Sequence, residues 1–245
     1  MSTSFLSLPA ELRNEIYTCL LVYSEPIDPW GGNHGLEPNL LATNSKILHE
    51  ARSLLYGNNR FDLTVMMPDL ISRFLDTIGF INASHLQCIR IDFPRLHVIE
   101  DEVSLEEDSF YILEKIQSHC TNLKTLITSS ESTNALETVL DLYDSPNICA
   151  KALALVAARF QEIPSLKEIV VEVYEEGPSL DIRRKMKSHG WIVNVVEPLE
   201  ELEWDFDALS NDHEDDYDDY DDYDDDDDDD YDIDNDSDFW RRAAD

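Results

Sequence analysis

Two hydrophobic rhythms run through this chain, one of helical and one of strand spacing. Leu12, Ile16, Cys19, Leu20 and Tyr23 recur every three or four residues, the mark of one apolar helix face. Pro9 suits the first turn of that helix, where its missing amide hydrogen has no partner, and Glu11 complements the positive end of the helix dipole. Residues 25–39 hold Pro26, Pro29, Gly31, Gly32, Gly35 and Pro38, a density of breakers that reads as a loop. A second helix is expected from about Leu40, with Leu41, Asn44, Ile47, Leu48, Ala51, Leu54 and Leu55 on one side. Gly57 and the two following asparagines read as its left-handed stop. Phe61, Leu63 and Val65 then alternate with polar residues as a short strand does, and residues 68–78 form another helix closed by Gly79.

Further along, one spacing occurs three times. Leu86-x-x-Ile89-x-Ile91, Leu123-x-x-Leu126-x-Thr128 and Leu166-x-x-Ile169-x-Val171 are β-prone segments with the same inward positions. Helical periodicity fills the gaps at residues 108–120, 134–143 and 148–160, and a last helix at 179–189 leads through Gly190 to a strand at 191–196. Strands alternating with helices predict a mixed α/β fold built on a mainly parallel sheet with right-handed crossovers. The body resembles an irregular leucine-rich-repeat fragment in architecture, although its units are longer than that repeat and lack its Asn/Cys position. Three regions are expected: residues 1–66 as a helical module, 67–198 as the helix and strand body, and 199–245 as a disordered Asp/Tyr-rich tail.

The first region also carries a motif set: Leu8-Pro9-Ala10-Glu11-Leu12-Arg13-Asn14-Glu15-Ile16-Tyr17, then His49-Glu50-Ala51-Arg52, then Leu54-Leu55-Tyr56-Gly57-Asn58-Asn59. Together these resemble the F-box-like module of filamentous fungi. The resemblance implies that Leu8, Pro9, Glu11, Leu12, Ile16 and Leu20 pack a small helical unit and present an apolar edge to the Skp-type adaptor of a cullin-RING ubiquitin ligase. The same side chains would equally serve as the protein's own core. The sequence departs from the usual pattern in the long Pro/Gly loop between the helices and in having no tryptophan between Trp30 and Trp191.

Charge changes the picture in one respect. The 245 residues carry a formal charge of −35, and residues 197–245 alone hold 26 Asp/Glu against two Arg. The rest is acidic too, which argues against nucleic acid or anionic membranes as partners. The tail is a solubilising polyanion, a binder of basic proteins of histone or ribosomal type, or a cover for the basic cluster Arg183, Arg184, Lys185 and Lys187. After the acids it carries an aromatic and basic hook, Phe239-Trp240-Arg241-Arg242. Cys19, Cys88, Cys120 and Cys149 are widely spaced in apolar segments and read as buried free thiols in a reducing compartment, cytoplasmic or nuclear. Neither a signal peptide nor a transmembrane run is expected.

No motif for catalysis, cofactor or metal binding stands out: there is no G-x-S-x-G elbow, phosphate loop, H-E-x-x-H or paired C-x-x-C. The carboxylates from Glu100 to Asp108 read as a solvated loop. The strand ends supply Asp92-Phe93-Pro94-Arg95, Ser129-Ser130-Glu131 and Tyr174-Glu175-Glu176-Gly177, which suit a basic or neutral protein segment better than a nucleotide. The expectation is therefore a non-catalytic substrate receptor that docks a Skp-type adaptor and presents an unknown client. The alternative is a chaperone for basic clients acting through its tail.

Overall fold

A computed structural model describes residues 4–31, 34–64, 69–99, 102–141 and 146–198. The expected disordered tail lies outside the described residues.

After a 3-10 turn at Phe5–Ser7, Pro9 caps helix α1 (Ala10–Leu21). A second 3-10 turn, Pro38–Thr43, takes the place of the expected first turn of helix α2, which starts at Ser45 and runs to Asn58. The register is set by Asn44, whose side-chain oxygen accepts from the Lys46 amide at 2.8 Å, a preferred way to satisfy the first free donors of a helix. The segment between the helices is more than a loop. Ile27 within it is fully buried and forms a parallel bridge to Phe61 on strand β1 (Arg60–Asp62), with the Ile27 amide donating to the Arg60 carbonyl and the Asp62 amide to the Ile27 carbonyl.

Asn59 explains the asparagines that end α2. It is buried, its amide nitrogen donates to the carbonyls of Leu21 and Leu55 at 2.7 Å each, and its oxygen accepts from the Tyr23 amide at 2.7 Å. One side chain thus closes the ends of both helices. Gly57, by contrast, is not a left-handed stop. It lies inside α2, and a Cβ there would stand 3.2 Å from the Gln87 amide nitrogen and 3.4 Å from the His85 carbonyl, so glycine serves a close approach between helix and loop. Left-handed glycines occur at Gly79, which interrupts α3 (Asp69–Ala83) at the point expected, and at Gly190.

Strands β2 (Cys88–Ile91), β5 (Thr125–Thr128), β6 (Glu168–Val173) and β7 (Ile192–Val195) join β1 in a parallel sheet of order β1-β2-β5-β6-β7. The register aligns Ile89 with Leu126 and Ile169, and Ile91 with Thr128 and Val171. The triple spacing in the sequence is therefore a true structural repeat, with Leu86, Leu123 and Leu166 two residues ahead of each strand's first paired position. Between units the same bond recurs: the amides of Lys124 and Thr125 donate to Gln87, and those of Lys167 and Glu168 donate to Lys124.

Helices α4 (Glu107–His119), α6 (Pro146–Gln161) and α7 (Leu180–Ser188) complete the crossovers, with α5 (Ser130–Asp141) directly after β5. Helices α2, α3, α4, α6 and α7 form a layer in chain order. α2 packs on α3, Lys115 of α4 pairs with Asp76 of α3 at 2.6 Å, Arg159 of α6 lies over the Phe110 ring of α4, and α6 packs on α7. Beneath that layer the core runs unbroken from Tyr17 and Leu21 through Phe61, Ile89 and Leu126 to Phe160 and Trp191. The opposite sheet face carries partly exposed Asp62, Arg90, Ile127 and Val170 in one row, and Arg90 bridges Asp62 at 2.7 Å and Glu172 at 2.9 Å.

The acidic run after Arg95 is likewise not simply a loop. It contains an antiparallel hairpin of β3 (Leu96–Ile99) and β4 (Glu102–Leu105), in which Leu96 and Val98 are buried.

Candidate functional site

The apolar periodicity of α1 faces outward. Leu12 is 46% exposed and Ile16 38%, Cys19 continues the stripe at the surface, and Tyr23, also exposed, lies beyond the end of the helix at Leu21. Arg13, Tyr17 and Leu21 are the residues that face the core. An amphipathic helix normally buries the opposite selection, and the reason for the inversion lies on α2.

Glu50 of the His49-Glu50-Ala51-Arg52 motif accepts two hydrogen bonds from one guanidinium: Nε of Arg13 donates to Oε2 at 2.8 Å and Nη2 to Oε1 at 2.6 Å. The remaining Nη1 donates to the Leu8 carbonyl, and the Tyr17 hydroxyl donates to Glu50 Oε2 at 3.1 Å. A planar fork matched to a carboxylate is the strong form of such a pair. With a hydrogen bond from each of its three nitrogens, Arg13 lies buried between the helices, while the Tyr17 ring packs edge-on to Phe5. The hydrogen bonds from Arg13 hold the Glu50 carboxyl below the usual range, and burial followed by the Glu50 contact pushes the Tyr17 phenol up. The polar clamp fixes which face turns inward, and Leu12 and Ile16 are left on the other.

Of the six residues that the resemblance assigns to adaptor binding, Pro9, Glu11, Leu12 and Ile16 are exposed. Leu8 is half-buried, and Leu20 is half-buried against the core. The sequence reading missed Arg13 and Glu50, although both stand in the quoted motifs; one charge of each sign, one on each of the two expected helices, was the available signal.

The basic cluster on α7 is not assembled as one face. Arg183 turns inward, donating to the carbonyls of Tyr174, Glu175 and Pro178 and so bracing the loop after β6. Arg184 and Lys185 both approach Asp181, at 3.4 and 2.7 Å, and Lys187 is exposed. The thiols also divide. Cys120 and Cys149 are buried, burial pushing the Cys120 thiol up to about 12, whereas Cys19 stands exposed on the α1 stripe, contrary to expectation.

At the C-terminal ends of the strands a cleft of about 540 Å³ opens between Thr64, the segment after β2, and α5. Its walls are braced by a polar network in which Ser129 donates to Asp92 at 2.9 Å and the Ser132 hydroxyl accepts from the Phe93 amide at 2.7 Å. Among the described residues no three His, Cys, Asp or Glu side chains are grouped to hold a metal, and no helix is long and apolar enough to cross a membrane. No protein-family model matches this chain, and neither does any curated protein or solved structure.

Proposed function

We propose that this chain is a non-catalytic interaction protein, an F-box-like substrate receptor whose α1 docks a Skp-type subunit of a cullin-RING ubiquitin ligase and whose sheet and helix body presents a client. The observation that carries the reading is the exposed stripe of Leu12 and Ile16, held outward by the Arg13–Glu50 clamp. Those side chains have no structural duty among the described residues, and a helix with apolar residues at i and i+4 is a usual anchor for helical partners. The motif resemblance supplies the identity of the partner.

The test uses purified full chain and a Skp-type adaptor. Leu12→Asp with Ile16→Asp is expected to weaken binding by at least about 100-fold, as loss of two central apolar anchors does. The melting temperature should stay within about 2 °C of the parent, because both sites are exposed. Adaptor should also slow maleimide labelling of exposed Cys19. An intact parent chain that shows no adaptor binding sinks the reading.

The strongly acidic segment favours a second one, a chaperone for basic clients with the F-box-like part purely structural. Removal of residues 205–245 would then abolish client capture, capture would weaken with salt, and adaptor binding would be unaffected.

A further inference from the structure

We propose that the cleft at the strand ends is the docking site for the chain's own aromatic and basic hook, Phe239-Trp240-Arg241-Arg242. The inference does not depend on adaptor binding.

The cleft has an apolar floor and an acidic rim. Phe93, Pro94, Leu96 and Leu136 form the floor and are buried. Asp92, Glu106 and Glu131 stand on the rim with Arg95, an excess of two negative charges. No ion pair among the described residues engages any of these three carboxylates; Asp92 accepts only the Ser129 hydroxyl. Glu106 and Glu131 open α4 and α5, at the positive ends of those helix dipoles, where negative charge is favoured. A volume of about 540 Å³ is within the range of sites that enclose a compact ligand.

The hook has the complementary chemistry. Phe239 and Trp240 provide large apolar rings, and Arg241 and Arg242 provide planar forks suited to carboxylates. Within residues 199–245 they are the sole arginines, set among 25 acids that the rim repels. The electrostatics therefore select this one segment of the tail.

Reach is no obstacle. The described chain leaves the sheet at the C-terminal end of β7, the same edge on which the cleft opens. β7 and β2 are three strand spacings apart, roughly 14 Å. Forty residues, 199 to 238, separate the hook from the last described residue, and the root-mean-square span of a random-coil chain of that length is roughly 35 Å. Tethering gives an effective concentration of about 1 mM, so even a contact with an intrinsic Kd of about 0.1 mM is closed most of the time. A client that opens the cleft must offer the same aromatic and arginine chemistry.

The experiment is hydrogen exchange on the full chain, comparing the parent with Trp240→Ala and with Arg241→Glu plus Arg242→Glu. The amides of Phe93, Arg95, Leu96 and residues 131–136 are expected to exchange at least threefold faster in both variants. Adding Glu106→Arg and Glu131→Arg to the double glutamate variant is expected to restore protection. Unchanged exchange in the hook variants overturns the proposal, as does failure of the swapped charges to restore it. Protection that disappears on tenfold dilution also overturns it, by showing that the hook comes from a second copy.

Discussion

Glu50→Ala is expected to lower the melting temperature by roughly 10 °C, since removal of one partner leaves the other charge buried between two helices without compensation. Arg13 would keep only its bond to the Leu8 carbonyl, and the Tyr17 hydroxyl would lose its acceptor. Replacing Arg13 and Glu50 together by methionine should recover much of the loss, because matched apolar side chains leave no orphaned charge. Differential scanning calorimetry on the parent, Arg13→Met, Glu50→Met and the double methionine variant, with Glu50→Ala beside them, checks both statements; additive losses in the double variant would show that Arg13 and Glu50 are not coupled.

The same pair sets a pH dependence. Glu50 is held below its unfolded value chiefly by the Arg13 hydrogen bonds. Its folded state therefore binds the proton less readily, and the clamp's stabilisation is fully present above about pH 4.3. It is lost as pH falls through the lower folded value. The difference in melting temperature between the parent and Glu50→Gln should shrink below pH 4 and stay level from pH 5 to 8.

Asn59→Ala is expected to destabilise the fold by about 4 kcal/mol, from two buried backbone groups and one part-buried one left without partners at about 1–3 kcal/mol each, incompletely additive. The groups are the Leu21 and Leu55 carbonyls and the Tyr23 amide, which end α1, end α2 and begin the returning segment. A fall in the urea midpoint with an unchanged slope would be the signature. A loss below about 1 kcal/mol would mean that water satisfies these groups.

Local spacing carried most of the body of the fold. Leu86, Leu123 and Leu166 fall on one register because an inward position every second residue, anchored by a leucine three residues ahead, is dictated by the strand itself. Gly79 and Gly190 were legible for a similarly local reason, a positive φ that glycine adopts freely. Other features depended on groups far apart in the chain. Arg13 turns inward only because Glu50, 37 residues later, meets it, so the spacing within α1 left open whether its apolar stripe faces the core or the outside. Gly57 answers to Gln87 and His85 across the fold, and Ile27 finds its partner in Phe61. The β3–β4 hairpin was hidden by its acids, although Leu96, Val98, Val103 and Leu105 alternate as strands do. The cleft had a partial trace, since Asp92, Phe93, Pro94, Arg95 and Glu131 were all noted at strand ends, but their convergence with Glu106 and Leu136 is a product of the sheet order.

Because its strands follow one another in chain order, the sheet behaves as a one-dimensional stack in which each unit is supported only by its neighbours. Its two ends differ. The β1 end is sealed by Ile27 and the clamped helix pair, whereas the β7 end finishes, among the described residues, in four residues with Ile192 and Val195 half exposed. Opening is expected to begin at β7, an edge strand with one neighbour and two half-exposed side chains, and the tail from residue 199 is joined to it. A pull on that tail is expected to fray this edge first, while α1, at the opposite end, keeps its outward face.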